Sequence, residues 1–218
     1  MRIYHGSGQI VNNPKFGAGR AYNDFGPGFY CTESKALAAE WAVAPGSNGY
    51  VSAYAINTDN LRIIDLCSSK YNVLHWLRIL LDFREFDAGS TLLHEAKEYI
   101  KRNYYVDYQI SDCIAGYRAD SSTFTFAQDF LNGRISYQRL RALLNMHPCK
   151  QFVIKSKRAF EAITYVSYES AACLDYYPVL NAREIKLLKA AAKPADSGDL
   201  FITQMIEEEI KSYDSRLR

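Results

Sequence analysis

Apolar residues recur along this chain with two different periods, and Gly, Pro, Asn and Ser separate the runs. Arg2 to His5 reads as a short strand that stops at Gly6-Ser7-Gly8. Val11 to Gly28 is punctuated by Gly and Pro and reads as a loop. Phe29-Tyr30-Cys31-Thr32 is a β-favouring run, followed by helix formers from Glu33 to Trp41 that Thr32 or Ser34 caps. Two further strand-like runs, Tyr50 to Ile56 and Leu61 to Ile64, flank an Asn57-Thr58-Asp59-Asn60 turn. Tyr71 to Arg84 and Leu92 to Asn103 place apolar residues at helical spacing.

Val106 to Ala119 reads as an extended or irregular return into the core. Phe124 to Leu131 and Ser136 to Leu144 are expected helices, with Ser136 suited to cap the second. Gln151 to Ile154 and Ile163 to Tyr168 are expected strands, with a helical turn at Ser156 to Glu161. The tail predicts a basic helix over Ala182 to Lys193, a Pro194-to-Gly198 break and an acidic amphipathic helix over Leu200 to Tyr213. Strands and helices alternate without a βαβαβ rhythm, and no G-x-G-x-x-G follows a strand. A dinucleotide-binding parallel sheet is therefore disfavoured, and an α+β domain with mostly antiparallel strands is expected.

Composition changes this picture little. The 218 residues are 48% hydrophobic and 23% charged, enough apolar material for one substantial core. A net charge of +2 gives no case for nucleic acid as a partner by itself. The five cysteines, Cys31, Cys67, Cys113, Cys149 and Cys173, are widely spaced with no C-x-x-C pair. They read as reduced, mostly buried thiols rather than a disulfide framework or zinc site. His75, His94 and His147 lack metal-ligand spacing, so structural or surface roles and no metal are expected. Neither a signal-peptide stretch nor a membrane-spanning run is evident. A soluble protein of the cytoplasm, its own or a host's, is the expectation, with no membrane contact.

Chemistry concentrates in three places. Tyr4-His5-Gly6-Ser7 ends the first strand. Asp24-Phe25-Gly26-Pro27-Gly28-Phe29-Tyr30-Cys31-Thr32 runs into a helix that contains Ser34-Lys35-Ala36. Lys150-Gln151-Phe152-Val153-Ile154 comes much later. Taken singly, each has an ordinary structural reading: a hydrogen-bonded His, turn glycines, a core Tyr. Together they resemble the ADP-ribosyltransferase superfamily of the diphtheria-toxin and poly(ADP-ribose) polymerase type, in which His, Tyr and Glu sit on three separate strands. His-Gly-Ser, Asp-Phe-Gly-x-Gly-Phe-Tyr and the following Ala-x-x-Trp-Ala are similar, more closely, to the bacterial domain of unknown function 3990. The similarity covers residues 1 to about 170.

That resemblance implies two small, mostly antiparallel sheets forming an NAD⁺ cleft with flanking helices. It also implies a transferase-like domain over 1–170 and a helical appendage over 171–218 packed on it. His5, Tyr30 and Gln151 take the catalytic positions. His5, Gly6, Ser7, Arg20, Asp24, Phe25, Gly28 and Tyr30 are the expected NAD⁺ contacts. His5 hydrogen-bonds a ribose hydroxyl, the Gly6 peptide pairs with the carboxamide, Tyr30 stacks on nicotinamide, and Arg20 or Lys15 faces the pyrophosphate.

The third position departs from the pattern, since Gln151 stands where the superfamily has Glu. A neutral amide orients a hydroxyl but stabilises an oxocarbenium-like state less, a loss comparable to the ~2.7–4 kcal/mol of a single deleted donor. Gln151 therefore argues against chain synthesis, and Asp24, Glu33 or Asp120 are the carboxylates available to compensate. Asp120 also reads as a helix cap before Phe124. The implied function is transfer of one ADP-ribose from NAD⁺ to a protein or nucleic-acid acceptor, with release of nicotinamide. A toxin or effector setting would add a neutralising antitoxin protein as partner. The alternatives are a non-catalytic NAD⁺ or ADP-ribose binding module and an NAD⁺ glycohydrolase.

Overall fold

A computed structural model of the chain describes residues 1–86, 89–146, 150–194 and 198–217. His147, Pro148, Cys149 and the middle of the Pro194-to-Gly198 break lie outside them. The architecture is α+β, built on two small sheets. The first sheet holds β1 (Arg2–Ser7), β3 (Gly49–Ile56) and β7 (Ile163–Ala171) in the order β1-β3-β7, antiparallel throughout. The second holds β2 (Phe29–Cys31), β4 (Ile63–Asp65), β5 (Cys113–Tyr117) and β6 (Lys150–Ile154) in the order β2-β6-β5-β4. Only β4 and β5 run parallel. The turn at Asn57 to Asn60 is thus no hairpin: β3 and β4 on its two sides belong to different sheets.

One backbone pair joins the sheets. The Tyr4 N–H donates to the Thr32 carbonyl at 2.7 Å, and the Thr32 N–H returns to the Tyr4 carbonyl at 2.9 Å. Between the sheets Ile3, Phe29, Tyr54, Ile56, Cys113, Phe152 and Ile154 form a small core. The other face of the second sheet is covered by α2 (Val73–Phe83), α3 (Thr91–Asn103), α4 (Ser121–Leu131) and α5 (Tyr137–Met146), which make the larger core. Val153 faces that core while its neighbours Phe152 and Ile154 face the other, so β6 is buried on both sides. In α2 the capping side chain is Asn72, which accepts from the Leu74 N–H at 3.0 Å, and Trp76, Leu77, Ile79 and Leu80 form the buried stripe. Each such side chain contributes about 1.5–3 kcal/mol by leaving water.

Helix α1 (Lys35–Ala42), capped by Ser34, lies on the first sheet unusually closely. A Cβ at Gly6 would fall 1.8 Å from the Ala38 carbonyl oxygen, and one at Gly49 would fall 2.0 Å from that of Ala42. The alanines of the helix and the glycines of the strands are two halves of one packing solution. A short helix, α6 (Lys157–Glu161), links β6 to β7.

The tail departs from its sequence pattern twice. Helix α7 spans Cys173–Ala191, beginning well before Ala182 and carrying Pro178 inside it. Tertiary contact outweighs propensity here. Tyr176 and Tyr177 pack beside Ala38 and Ala42, and Arg183 pairs with the buried Glu40 at 2.8 Å. The last helix, α8, covers only Ile202–Glu207. It stops because the Ile210 N–H bonds the Met205 carbonyl at 3.0 Å and the Glu209 N–H bonds that of Ile206 at 3.2 Å. These two bonds make a Schellman stop, with Glu209 in the left-handed region at φ 49° where glycine is usual. Burial of Ile210 drives it, and the Tyr104 hydroxyl at 3.2 Å, together with that of Tyr99, donates to the Ile210 carbonyl. Glu209→Gly is expected to stabilise the fold by about 0.5–1 kcal/mol in urea unfolding, by relieving the left-handed strain; a loss of stability would show that the Glu209 side chain matters more.

Candidate functional site

Beyond the Tyr4–Thr32 pair, β1 and β2 diverge, and the opening between them is a cleft of about 440 Å³. Peptide directions alternate along a strand. Since Tyr4 bonds Thr32 on one side, His5 bonds toward β3, and Gly6 again turns its N–H and C=O to the β2 side, into the cleft. The close packing of Gly6 on α1 leaves that peptide edge uncovered by any side chain of its own.

His5 is held by neighbours rather than by solvent. Its Nδ1 lies 2.7 Å from the Tyr30 carbonyl oxygen. A carbonyl only accepts, so Nδ1 carries the proton and Nε2 presents a lone pair. The ring packs on Phe29 with centroids 4.6 Å apart. Burial lowers the His5 pKa below 6.5, opposed by the Tyr30 carbonyl, so the ring is neutral at physiological pH.

Tyr30 is fixed at its tip. Its hydroxyl donates to the Gly26 carbonyl at 2.7 Å and accepts from the Phe25 N–H at 3.0 Å, which ties the ring to the loop before β2. Gly26 has φ 74°, a turn conformation open to glycine. Burial, its largest cause, raises the Tyr30 pKa, so the phenol stays protonated.

Asp24 is the electrostatic centre. The residue is 6% exposed, and its carboxylate accepts from Arg84 at 2.7 Å, the Ala119 N–H at 2.8 Å and Gln151 Nε2 at 2.9 Å. Burial pushes its pKa up, and the Ala119 N–H, Gln151, Arg84 and Arg118 pull it back. Gln151 also donates to the Tyr117 carbonyl at 3.0 Å. Both of its partners are acceptors, which fixes the amide's orientation and leaves Oε1 as its remaining polar atom. Arg84 lies over the Phe124 ring at 4.5 Å, and Arg118 lies over Trp41 at 4.7 Å.

Of the residues singled out in the sequence, His5, Gly6, Arg20, Asp24, Gly28, Tyr30, Asp120 and Gln151 line this one cleft. Four others stand elsewhere. The Ser7 hydroxyl turns to the Gln9 carbonyl at 2.6 Å, outside the lining. Phe25 is fully buried, its ring facing Gly116, and it serves the site through its backbone, whose N–H donates to the Tyr30 hydroxyl and whose carbonyl accepts from Lys155. Glu33 and Lys15 are exposed and off the cleft, so neither supplies charge to it. Asp120 caps α4, accepting from the Thr123 N–H at 3.1 Å, while standing at the rim. Arg84, Arg118 and Trp41 are additions, delivered by tertiary packing from three different elements. Among the described residues no group of three or more His, Cys, Asp or Glu is placed to hold a metal ion. No helix there is long and apolar enough to cross a membrane.

Two outcomes follow from this geometry. Asp24→Asn leaves one oxygen where two served three donors, and is expected to cost about 1–3 kcal/mol in chemical denaturation; an unchanged midpoint would mean that the network carries no stability. For His5, the lowered pKa means that its contribution to stability is complete above pH 6.5 and is lost as pH falls through the folded-state value. An NMR titration should place its midpoint below 6.5, and a midpoint at or above that figure contradicts the buried neutral ring.

The family model described as "Protein of unknown function (DUF3990)" matches residues 1–165, a span that includes every residue lining the cleft. Neither the curated proteins nor the solved structures contain a match. By the extent of the family match, the chain belongs to the DUF3990 family.

Proposed function

We infer that this protein is a mono-ADP-ribosyltransferase of the H-Y-[E/Q] type, with its transferase-like domain in residues 1–170 and an appendage over 171–218. The observation that carries the reading is the convergence of the Gly6 peptide edge, the His5 lone pair, the Tyr30 ring and Gln151 on one cleft where two sheets part. NAD⁺ is the substrate, and no metal takes part in the steps below.

In this reading the nicotinamide carboxamide pairs with the Gly6 N–H and C=O, and its ring lies against Tyr30, whose anchored tip keeps the aromatic face in place. A ribose hydroxyl donates to His5 Nε2. Arg118 and Arg20 stand on the cleft wall and suit the pyrophosphate. Gln151 Oε1 accepts from a ribose hydroxyl beside the scissile bond. Cleavage of the C1′–N bond sends the electron pair to nicotinamide and leaves an oxocarbenium-like ribosyl cation. The acceptor's nucleophile then bonds C1′ and loses a proton.

The carboxylate absent from the third strand is present one hydrogen bond behind it. Asp24, accepting from Gln151 Nε2, polarises the amide and makes Oε1 a stronger acceptor, so Asp24 is a positioning residue rather than a catalytic one. Its charge is largely met by Arg84, so the cation gains less from it than from an unpaired Glu. That difference favours a single slow transfer over chain synthesis. It also makes glycohydrolysis, in which water is the acceptor, the natural second reading.

Incubation with NAD⁺ labelled in its adenine half, plus cell lysate, separates the outcomes. Label on macromolecules with free nicotinamide supports transfer; nicotinamide without label means hydrolysis; binding without nicotinamide means a non-catalytic module. Tyr30→Ala is expected to weaken NAD⁺ binding at least tenfold, about 1.4 kcal/mol, while Tyr30→Phe, which keeps the ring, stays within a few-fold. Equal affinities for both variants and the parent would remove nicotinamide from Tyr30.

A further inference from the structure

Helix α7 has two contrasting sides. The inner one is engaged with the fold. Arg183 pairs with the buried Glu40, Glu184 accepts from the Ser122 hydroxyl, Leu187 is buried, and Tyr176 and Tyr177 pack beside Ala38 and Ala42. The outer side holds apolar side chains in water. Leu174 is 88% exposed, Val179, Ile185 and Leu188 are each about half exposed, and Pro178 and Ala182 stand exposed among them.

These residues are not scattered. Leu174, Pro178, Asn181, Ile185 and Leu188 follow one another at alternating steps of four and three, the spacing of a seam by which one helix packs on another. The seam runs along about 20 Å of helix, with Asn181 as its one polar member and Val179 and Ala182 on its flank. Charge is kept from its middle. Between Asp175 and Lys186 the charged residues are Arg183 and Glu184, and both turn inward to Glu40 and Ser122. The outer charges stand toward the ends and differ in sign, Asp175 in the first turn and Lys189 in the last. A contiguous exposed apolar strip bounded in this way is a mark of an association surface.

We propose that this face is an interface between two copies of the chain, their α7 helices packed antiparallel across a twofold axis. The charge pattern selects both the occupant and the direction. With the axis level with Arg183, the rise per residue puts Asp175 of one copy about 3 Å along the helix from Lys189 of the other. The twofold makes that pairing occur twice. Pro178 of each copy then lies opposite Leu188 of the other, and the two Ile185 side chains stand on either side of the axis. A parallel pair would instead set Asp175 against Asp175 and Lys189 against Lys189, and would align the two helix dipoles. One helix from each side is a contact at the small end of specific interfaces, so the dimer is expected to dissociate in the micromolar range. This inference does not rest on the transferase reading.

Sedimentation equilibrium on the full chain, from low micromolar to a few hundred micromolar, tests it. The mass is expected to rise from one chain to two with concentration. Leu188→Glu should weaken the dimer at least tenfold, and Asp175→Lys and Lys189→Glu each several-fold, all at exposed positions that leave the core untouched. Mixing the last two variants in equal amounts is the decisive arm. Each alone sets like charges together across the axis, whereas the mixed pair restores opposite ones at both ends and should regain the parent affinity. A parent chain that stays monomeric throughout overturns the proposal and leaves the face to a different partner. A dimer indifferent to Leu188→Glu places the contact elsewhere, and a mixture no tighter than either variant overturns the antiparallel pairing. None of these outcomes depends on whether NAD⁺ is bound or cleaved.

Discussion

A carboxylate taken out of water must be met by donors, and Asp24 meets them from three distant parts of the chain. Arg84 comes from the end of α2, the Ala119 N–H from the stretch after β5, and Gln151 from β6. These groups lie 60, 95 and 127 residues away in sequence. An unpaired buried carboxylate costs several kcal/mol, so the loop before β2, the second sheet and the helical layer are bound to one arrangement. The same network turns the Gln151 amide and holds the loop to which Tyr30 is anchored. What looks like a structural salt bridge is thereby also the device that shapes the cleft.

The opposite wall depends on a second constraint, the close approach of α1 to the first sheet at Gly6 and Gly49. That packing excludes side chains from the β1 edge just where the Tyr4–Thr32 pair ends. The cleft is therefore a consequence of two sheets joined at one point and packed by different partners. One wall is rigid backbone and the other an ion-paired polar cluster. Lys155 reinforces the second wall, since its amine donates to the Phe25 carbonyl and lies over Phe83 at 5.1 Å, with burial lowering its pKa to about 8.

Much of this was legible in residues read locally. The strands at the three sequence motifs, the Ser34, Ser136 and Asp120 caps and the α+β class all follow from turn chemistry and periodicity. His5, Gly6, Tyr30 and Gln151 stood out by their neighbours. Arg84 and Arg118 carry no local signal, because an arginine at a helix end or after a strand has an ordinary surface reading until the fold places it, and Trp41 stood out only as part of the Ala-x-x-Trp-Ala resemblance, with no role assigned to it. Glu33 was misleading for the converse reason: it follows Tyr30 by three residues in sequence, yet it stands exposed and off the cleft. The tail was legible only in type. Pro178 and the non-glycine stop at Glu209 run against local rules, and burial beside α1 and of Ile210 overrides them.

The central claim is that the gap between β1 and β2 is an NAD⁺ site whose two walls are the Gly6 edge and the Asp24 cluster. A crystal structure of the protein grown with saturating NAD⁺ tests it most directly. The account predicts nicotinamide between the strands, with its carboxamide on the Gly6 peptide, its ring on Tyr30 and a ribose hydroxyl on His5 Nε2. An empty cleft at saturating NAD⁺, or dinucleotide bound only elsewhere on the protein, would contradict it.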